Sequence, residues 1–187
     1  MLRITGGEYR GRFIKAPKND RTRPTGAQLR QALFNSIQAH IPDARVLDLF
    51  AGSGALGFEA LSRGAAHVTF VEIARPVVKL ISENARELKC EDRARIVNSP
   101  VEQFLKSPQG APFDLILVDP PYEEGWETKV LGQENWTELL VPQGLLCLEW
   151  GRLKSQISEL PDRASCLVKV REKNYGDSLL TTYIREA

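Results

Sequence analysis

The sequence predicts one α/β domain: a mixed seven-stranded sheet with helices on both faces and a small β-hairpin extension at the N-terminus. Strand-like and helix-like segments alternate from residue 44 onward, which is typical of a parallel sheet. The segment 113–118 is almost wholly apolar, as expected of a strand that is covered on both faces. Two β-rich runs flank the tight connection 174–177, so the chain should end in an antiparallel pair.

The 187 residues are divided into a basic N-terminal hairpin and connector, 1–24, and the α/β domain, 25–187. Two short strands are expected around a glycine turn at residues 6 and 7, the second of them over 9–15. Residues 17–24 are rich in proline and charge, which predicts an exposed connector.

The domain is predicted to begin with an amphipathic helix over 26–39, because Thr25 and Gln28 fit a capping box and Pro42 ends the pattern. Apolar periodicity then sets the remaining elements. Strands are expected at 46–50, 67–71, 95–97, 113–118, 144–149, 165–172 and 178–185, helices at 55–63, 75–88, 101–106, 136–140 and 152–159, and a loop at 123–135.

The formal net charge of +1 hides an uneven distribution of charge along the chain. Residues 1–30 contain eight basic and two acidic side chains, a net charge of +6. The rest of the chain contains 17 basic and 22 acidic side chains, a net charge of −5. Such asymmetry indicates an arm that binds a polyanion on a neutral-to-acidic body. The alternative is a basic surface that is only solvated.

The sequence does not indicate a membrane-spanning or a secreted protein. No apolar run approaches the roughly 20 residues that a membrane span needs, and the N-terminus lacks a hydrophobic signal region. Cys90, Cys147 and Cys166 lie far apart, which predicts reduced thiols in a cytoplasmic protein. His40 and His67 are too isolated to predict a metal site.

A glycine-rich loop follows the first strand of the domain. Gly52, Gly54 and Gly57 match the pattern G-x-G-x-x-G between a strand and a helix, where the helix N-terminus offers free N–H groups. Glu72 ends the next strand, 20 positions after Gly52, where a carboxylate can accept hydrogen bonds from ribose hydroxyls. The pattern predicts a cofactor that contains a nucleoside.

Asp48 helps to distinguish between two such cofactors. It lies four residues before Gly52, near the end of the strand. A fixed negative charge there would repel the pyrophosphate of a nicotinamide dinucleotide. The same charge would attract S-adenosylmethionine, which carries an ammonium and a sulfonium and no phosphate. The position of Asp48 therefore favours S-adenosylmethionine.

The segment Asp119-Pro120-Pro121-Tyr122 follows the fourth strand directly, so it should face the same crevice. These residue types suit methyl transfer to the exocyclic amino nitrogen of a base. The Asp119 carboxylate and the Pro120 carbonyl can accept the amino hydrogens and stabilise the charge that develops on nitrogen. Tyr122 can stack on the base, and the proline pair stiffens the turn. The predicted catalytic residues are Asp119, Pro120, Pro121 and Tyr122.

Two sets of motifs resemble a known family. The segment Val46-Leu47-Asp48-Leu49-Phe50-Ala51-Gly52-Ser53-Gly54, with Asp119-Pro120-Pro121-Tyr122, resembles the class I S-adenosylmethionine-dependent amino-methyltransferases, which implies a Rossmann-like class I methyltransferase fold. The chain is also similar, from about residue 3 to 185, to the bacterial RsmD family of 16S ribosomal RNA guanine-N2 methyltransferases. The residues that carry this second resemblance are Ile4-Thr5-Gly6-Gly7, Arg10-Gly11-Arg12, Arg23-Pro24-Thr25 and Arg30-Gln31-Ala32-Leu33-Phe34-Asn35.

The resemblance implies an enzyme that transfers a methyl group from S-adenosylmethionine to the N2 amino group of a specific guanine. The implied partner is 16S ribosomal RNA within the small ribosomal subunit or an assembly intermediate. S-adenosylhomocysteine would be the product of the cofactor, with no metal required. We further expect a cytoplasmic monomer that does not bind membranes.

The resemblance also implies site residues. Asp48, Phe50 and the 51–54 loop would contact the methionine part of the cofactor, Glu72 the ribose, and the segment 98–101 the adenine. A polar side chain is usual in the family at the position of Pro100, so adenine contact here should rely on the Val101 backbone N–H and on apolar packing. Asp119 and Tyr122 would hold the guanine. The expected cofactor-binding residues are Asp48, Phe50, Ala51, Gly52, Ser53, Gly54, Glu72, Ile73, Pro100 and Val101, and the expected RNA-binding residues are Arg3, Arg10, Arg12, Lys15, Arg21, Arg23 and Arg30.

Two alternatives stay open from the sequence. One is an adenine-N6 methyltransferase acting on DNA or RNA, although 187 residues leave no room for a separate target-recognition domain. The other is a non-enzymatic RNA-binding protein. Trp126 and Trp136 are equally compatible with stacking on RNA and with packing in the core.

Overall fold

The structure is a computed structural model that describes residues 1–17, 24–108, 110–121, 124–151 and 157–187, with only the backbone of residues 24 and 25. In these ranges the helices are α1 (Pro24–Ser36), α2 (Ala55–Ser62), α3 (Arg75–Leu88), α4 (Val101–Lys106), α5 (Trp126–Leu131) and α6 (Trp136–Leu139), with 3-10 turns at Gln38–His40 and Glu91–Arg93. The strands are β1 (Leu2–Arg3), β2 (Phe13–Ile14), β3 (Arg45–Leu49), β4 (His67–Glu72), β5 (Ala94–Asn98), β6 (Phe113–Val118), β7 (Leu140–Trp150), β8 (Arg163–Ala164), β9 (Leu167–Tyr175) and β10 (Ser178–Arg185).

A mixed sheet of eight strands forms the body of the described chain, in the order β5-β4-β3-β6-β7-β10-β9-β8. Strands β3 to β7 pair in parallel, and β10, β9 and β8 pair antiparallel with their neighbours. The chain moves outward from β3 through β4 and β5, and then returns to place β6 on the other side of β3. This reversal of direction opens a crevice at the carboxyl ends of β3 and β6.

Helices cover both faces of the sheet, as the sequence predicts. Helices α1, α2 and α3 pack on one face, which includes Val46 and Leu115, and α4, α5 and α6 pack on the opposite face, which includes Leu47 and Ile116. The two faces alternate along each strand because successive side chains point to opposite sides. No helix among the described residues is long and apolar enough to cross a membrane. The three cysteines are free thiols, as predicted.

The C-terminal half departs from the prediction in three places. Residues 123–135 were expected to be a loop, but α5 lies within them because Val130 and Leu131 are buried against the core. The sheet carries an eighth strand, β8, which is too short at two residues to leave a periodic pattern. The predicted helix 152–159 falls largely outside the described residues, and 157–159 are not helical.

Helix α1 begins earlier and ends earlier than predicted. It starts at Pro24, one residue before the expected cap at Thr25, because proline suits the first helical position, where its missing N–H is not needed. It ends at Ser36, and the 3-10 turn Gln38–His40 replaces the last predicted turn.

The N-terminal hairpin is shorter than predicted, and the first four residues of the expected strand 9–15 are not a strand. Their backbone binds α2 instead: Glu8 N donates to Ser62 O at 2.6 Å and Tyr9 N donates to Ser62 Oγ at 2.8 Å. Gly7 has a φ of 77°, and a Cβ at this position would lie 1.7 Å from Ser62 O. The docking of the hairpin on α2 therefore requires glycine at position 7.

A buried network of charges fastens the hairpin and α1 to α2. The Glu59 carboxylate, which is 0% exposed, accepts hydrogen bonds from Thr5 N at 2.9 Å, Thr5 Oγ1 at 2.7 Å and Arg63 Nε at 2.8 Å. Arg30 Nε lies 3.5 Å from Glu59 Oε2, and the Arg30 guanidinium also donates to Arg3 O at 2.8 Å. Arg30 is only 7% exposed. This burial corrects the predicted RNA-binding role of Arg30, since its guanidinium is used inside the fold.

Replacement of Glu59 by alanine is expected to lower the free energy of unfolding by about 3–5 kcal/mol, because it removes one partner of a buried ion pair. Arg30 would then keep its charge in the core without the carboxylate. Urea unfolding followed by circular dichroism measures the loss. Glu159→Ala, at an exposed position, is the control, and an equal effect of the two substitutions would contradict the role of Glu59.

Candidate active site

The carboxyl ends of β3, β4, β5 and β6 border a crevice with a volume of about 720 Å³. Of the predicted catalytic and cofactor-binding residues, the structure brings to its lining Asp48, Phe50, Ala51, Gly52, Ser53, Glu72, Ile73, Pro100, Val101, Asp119, Pro120 and Pro121. Gly54 lies behind this lining, and Tyr122 falls outside the described residues. Within the described ranges, no three His, Cys, Asp or Glu side chains are arranged to hold a metal ion.

Two glycines of the loop are required by close packing beneath the crevice. Gly54 precedes α2 with a φ of 79°, and a Cβ there would lie 2.6 Å from the Phe58 ring. A Cβ on Gly57 would lie 2.2 Å from the ring of Phe70 in β4. The absence of these side chains lets α2 pack directly on the sheet and brings its N-terminus to the crevice.

Asp48 provides a buried carboxyl group at the floor of the crevice. The residue is 1% exposed, and its Oδ2 accepts a hydrogen bond from Gly57 N at 2.9 Å. Desolvation raises the pKa of Asp48 to about 8, the Gly57 N–H opposes this rise, and the nearby Glu72 charge adds to it. A buried acid that lines an open crevice is well suited to a ligand with a positive charge.

Glu72 is held rigidly at the end of β4. Its Oε2 accepts a hydrogen bond from Gly52 N at 3.0 Å, and its Oε1 accepts one from Ala74 N at 2.8 Å. Each carboxylate oxygen has a second lone pair, so both can also accept from ribose hydroxyls. The next residue, Ile73, is 64% exposed and offers an apolar surface beside the carboxylate.

The segment 98–101 forms the adjoining wall. The Asn98 amide donates to Glu72 O at 2.9 Å and to Ile73 O at 2.8 Å, which ties the end of β5 to the end of β4. Pro100 precedes α4, and Val101 is its first residue. The backbone N–H of Val101 therefore has no acceptor within the helix and can donate to a ligand in the crevice.

The opposite wall contains Asp119 and an aromatic pair. Asp119 follows β6 and is exposed at the crevice, whereas the adjacent Pro120 is buried. The rings of Phe50 and Trp126 meet edge to face, with centroids 4.8 Å apart. Trp126 lies on α5 and lines the crevice. Trp136 is 0% exposed and packs in the core, which excludes it from RNA stacking in this structure.

Asn84 joins the N-terminal arm to the glycine loop, a role that was not predicted from the sequence. It is fully buried on α3, where its amide nitrogen donates to Lys15 O at 3.0 Å and to Ser53 O at 3.3 Å. Its amide oxygen accepts a hydrogen bond from Lys15 N at 2.8 Å. The available signal was a polar residue on the apolar face of this helix, three positions after Ile81.

The predicted RNA-binding residues occupy different kinds of position. Arg3 and Arg10 are exposed on the N-terminal hairpin. Arg21 and Arg23 fall outside the described residues. Arg30, as described above, is buried.

Two further members of this set contact the C-terminal half of α3. The Arg12 guanidinium donates hydrogen bonds to Glu87 O and, at 3.5 Å, to Leu88 O. Lys15 Nζ forms ion pairs with Glu83 at 3.0 Å and Glu87 at 2.8 Å. Since Arg12 caps the last carbonyls of a helix, it also contributes to the fold.

Comparisons with known proteins agree with this architecture. A family model described as "Conserved hypothetical protein 95" matches residues 2–184. The chain is 39% identical to "Ribosomal RNA small subunit methyltransferase D" of Escherichia coli strain K12, covering 100% of this chain and 91% of the relative. It is 37% identical to the protein of the same name in Haemophilus influenzae, over 84% of this chain and 82% of the relative. The solved structure of yhhF from Escherichia coli superposes with a TM-score of 0.86 at 38% identity, covering 100% of this chain and 98% of that chain.

Proposed function

Since the chain belongs to the RsmD family, that of ribosomal RNA small subunit methyltransferase D, we propose that it transfers a methyl group from S-adenosylmethionine to N2 of a guanine in 16S ribosomal RNA. One observation carries the chemistry: Asp48, Glu72 and Asp119 line the same crevice, at the ends of three parallel strands. Asp48 and Glu72 would bind the cofactor, and Asp119 would bind the amino group of the base.

The cofactor would be held along the wall formed by β3, β4 and β5. Asp48 would bind the ammonium group, directly or through water, and Glu72 would accept the ribose hydroxyls. Ile73 and Pro100 would pack on the adenine, and the Val101 N–H would donate to its ring. When bound, S-adenosylmethionine supplies a methyl group activated by the sulfonium charge. The chain then mainly has to align it with the acceptor nitrogen.

The target guanine would lie against the opposite wall. Its amino nitrogen is a weak nucleophile because its lone pair is delocalised into the ring. The Asp119 carboxylate and the Pro120 carbonyl would accept the amino hydrogens, which favours pyramidal nitrogen and stabilises the positive charge that develops there. Tyr122 would stack on the base. The nitrogen can lose its proton after transfer, so no strong general base is needed.

The basic N-terminal arm would bind the RNA. Arg3 and Arg10 are exposed on the same hairpin as Arg12, where they can reach phosphates. The guanine must leave any stack before its amino group can enter the crevice. We infer that the substrate is the small ribosomal subunit or an assembly intermediate, and that the protein acts as a cytoplasmic monomer. The folded RNA would then supply much of the specificity.

Arg10 and Arg12 are expected to respond differently to replacement by alanine. Arg10→Ala should weaken RNA binding and reduce the slope of log K against log salt by about 1, because one phosphate contact is lost. Arg12→Ala should do the same and also lower the melting temperature, because its hydrogen bonds to the end of α3 are lost. Filter binding across a salt series and thermal unfolding measure both effects. An unchanged slope in both variants would show that the RNA binds a different surface of the protein.

The function is tested by incubating the protein with labelled S-adenosylmethionine and four substrates in parallel. These are naked 16S ribosomal RNA, small subunits, an unrelated RNA and DNA. We expect label in ribosomal RNA, most of it when the RNA is presented in particles. Label in DNA alone would overturn the proposal in favour of an adenine-N6 methyltransferase, and no label in any substrate would favour a non-enzymatic RNA-binding protein.

A further inference from the structure

A second cavity lies at the opposite end of the parallel strands from the crevice. It has a volume of about 240 Å³ and is bordered by the amino ends of β3, β4 and β5. Strand β4 runs from His67 at this cavity to Glu72 at the crevice. At about 3.3 Å per residue, the two sites are about 16 Å apart along the strand.

Strand register makes this cavity basic. Arg45 pairs with His67 across β3 and β4, and Thr69 pairs with Arg95 across β4 and β5. Because side chains at paired and alternate positions share one face of a sheet, these four residues project to the same side. Arg93, at the end of the 3-10 turn before β5, completes the basic lining.

The guanidinium groups of Arg45 and Arg95 approach one point. A Cβ placed on Gly110 would lie 3.7 Å from Arg45 Nη2 and 3.8 Å from Arg95 Nη1. The Arg45 guanidinium also lies over the Phe113 ring, 5.9 Å from its centroid, which limits its freedom to turn away. A phosphate held between two guanidiniums that converge from neighbouring strands can accept hydrogen bonds from both of them.

The charges at the cavity favour an anion. Its described lining contains three arginines and one histidine, and Asp92 is the acidic residue among them. Arg93 also forms an ion pair with Glu8 at 3.4 Å, so part of its charge is compensated. Asp92 and Glu8 therefore offset only part of the positive charge of the three arginines that line the cavity.

The cavity is continuous with the basic N-terminal arm. Arg93 donates a hydrogen bond to the Tyr9 hydroxyl, and its guanidinium carbon lies 5.8 Å from the centroid of the Tyr9 ring. The Arg12 guanidinium carbon lies 5.7 Å from the same centroid. Tyr9 and Arg93 therefore connect Arg12, on the N-terminal arm, to the cavity that Arg45 and Arg95 line. Cationic groups on both the arm and the cavity suit a phosphate backbone better than one small anion.

We propose that the cavity at the amino ends of β3, β4 and β5 is a second phosphate-binding site for the substrate RNA, with Arg45 and Arg95 as its principal contacts. This inference rests on the proposed function and extends it. The site would hold a part of the RNA that is remote from the target guanine. Contacts at both ends of the parallel strands would then fix the orientation of the protein on its substrate. Such contacts position the protein without reading sequence.

The test compares an Arg45→Gln/Arg95→Gln double variant with the wild type, using 16S ribosomal RNA as the probe. We expect RNA affinity to fall by about tenfold or more, and the slope of log K against log salt to decrease by about 1.5, because two phosphate contacts are lost. Affinity for S-adenosylmethionine and kcat at saturating RNA should be unchanged. The Arg45→Lys/Arg95→Lys variant keeps both charges and should retain most of the slope.

The matched control is Arg171→Gln/Lys173→Gln, which removes two charges from exposed positions on β9. An equal slope of log K against log salt in the two glutamine variants would contradict the proposed second site. This holds even if the wild type methylates ribosomal RNA. The wild type could also methylate no RNA while the slope of log K against log salt decreases in the Arg45→Gln/Arg95→Gln variant and not in the control. In that case the proposed function would be wrong, but the second RNA-binding site would be supported. A melting temperature of the lysine variant near that of the wild type shows that substitution at these positions leaves the fold intact.

Discussion

Replacement of Asp119 by alanine is expected to lower kcat for methyl transfer by about 10²–10³-fold or more, which is the range found when one group that stabilises transition-state charge is removed. Asp119 follows β6 and lines the same crevice as Glu72 and Asp48. Under the proposed function, its carboxylate is the charged acceptor for the guanine amino group. Affinity for S-adenosylmethionine should change little, because Asp48 and Glu72 remain in place.

The informative control is Asp119→Asn, which keeps the shape and one oxygen acceptor but removes the charge. We expect its kcat to lie between those of the wild type and the alanine variant. Single-turnover rates at saturating RNA, with cofactor affinity measured by calorimetry, separate chemistry from binding. Wild-type turnover in Asp119→Ala would exclude a catalytic role for this carboxylate.

Affinity for S-adenosylmethionine is expected to rise by up to about tenfold per pH unit from about pH 6 to about pH 8, and then to level off. Burial raises the pKa of Asp48 to about 8, so below that pH the free protein holds the carboxyl protonated. An ammonium group prefers the carboxylate, so binding releases this proton, and binding is favoured as the pH rises towards the pKa.

The same group should also affect the free protein. Its folded-state pKa lies above the unfolded value, so the folded state binds the extra proton and loses stability as the pH rises from about 4 to about 8. Asp48→Asn, whose amide oxygen can still accept from Gly57 N, should remove both pH dependences and weaken cofactor binding. This variant also controls for titration of the ligand itself. A pH profile of binding that is identical in the variant and the wild type would contradict the assignment of Asp48.

Much of the fold could be predicted because its signals are local. Helix α3 has the predicted bounds, 75–88, since four apolar residues recur at helical spacing, and β6 has its predicted bounds because it is one apolar run. The crevice followed from topology: the ends of parallel strands meet at one edge, so Asp48, Glu72 and Asp119 had to lie near each other. Strand β8 has only two residues, too few to show a period, and the glycines at the two ends of α5, Gly125 and Gly132, favoured a loop there.

The contacts that could not be predicted join residues that are distant in sequence. Thr5 and Glu59 are 54 positions apart, and Lys15 and Asn84 are 69 positions apart. Nothing near Arg30 in the sequence indicates that it is buried against Glu59 rather than exposed on a basic arm. The convergence of Arg45 and Arg95 likewise depends on strand register, which becomes known only when the strands are paired.

Identification of the methylated nucleoside tests the proposed function most directly. Small subunits from cells that lack this gene are incubated with the protein and labelled S-adenosylmethionine, and the 16S ribosomal RNA is digested and analysed by mass spectrometry. We expect label in N2-methylguanosine with the wild-type protein, and a loss of that label with Asp119→Ala. Label in N6-methyladenosine, or no label in nucleosides of 16S ribosomal RNA, would contradict the proposed function.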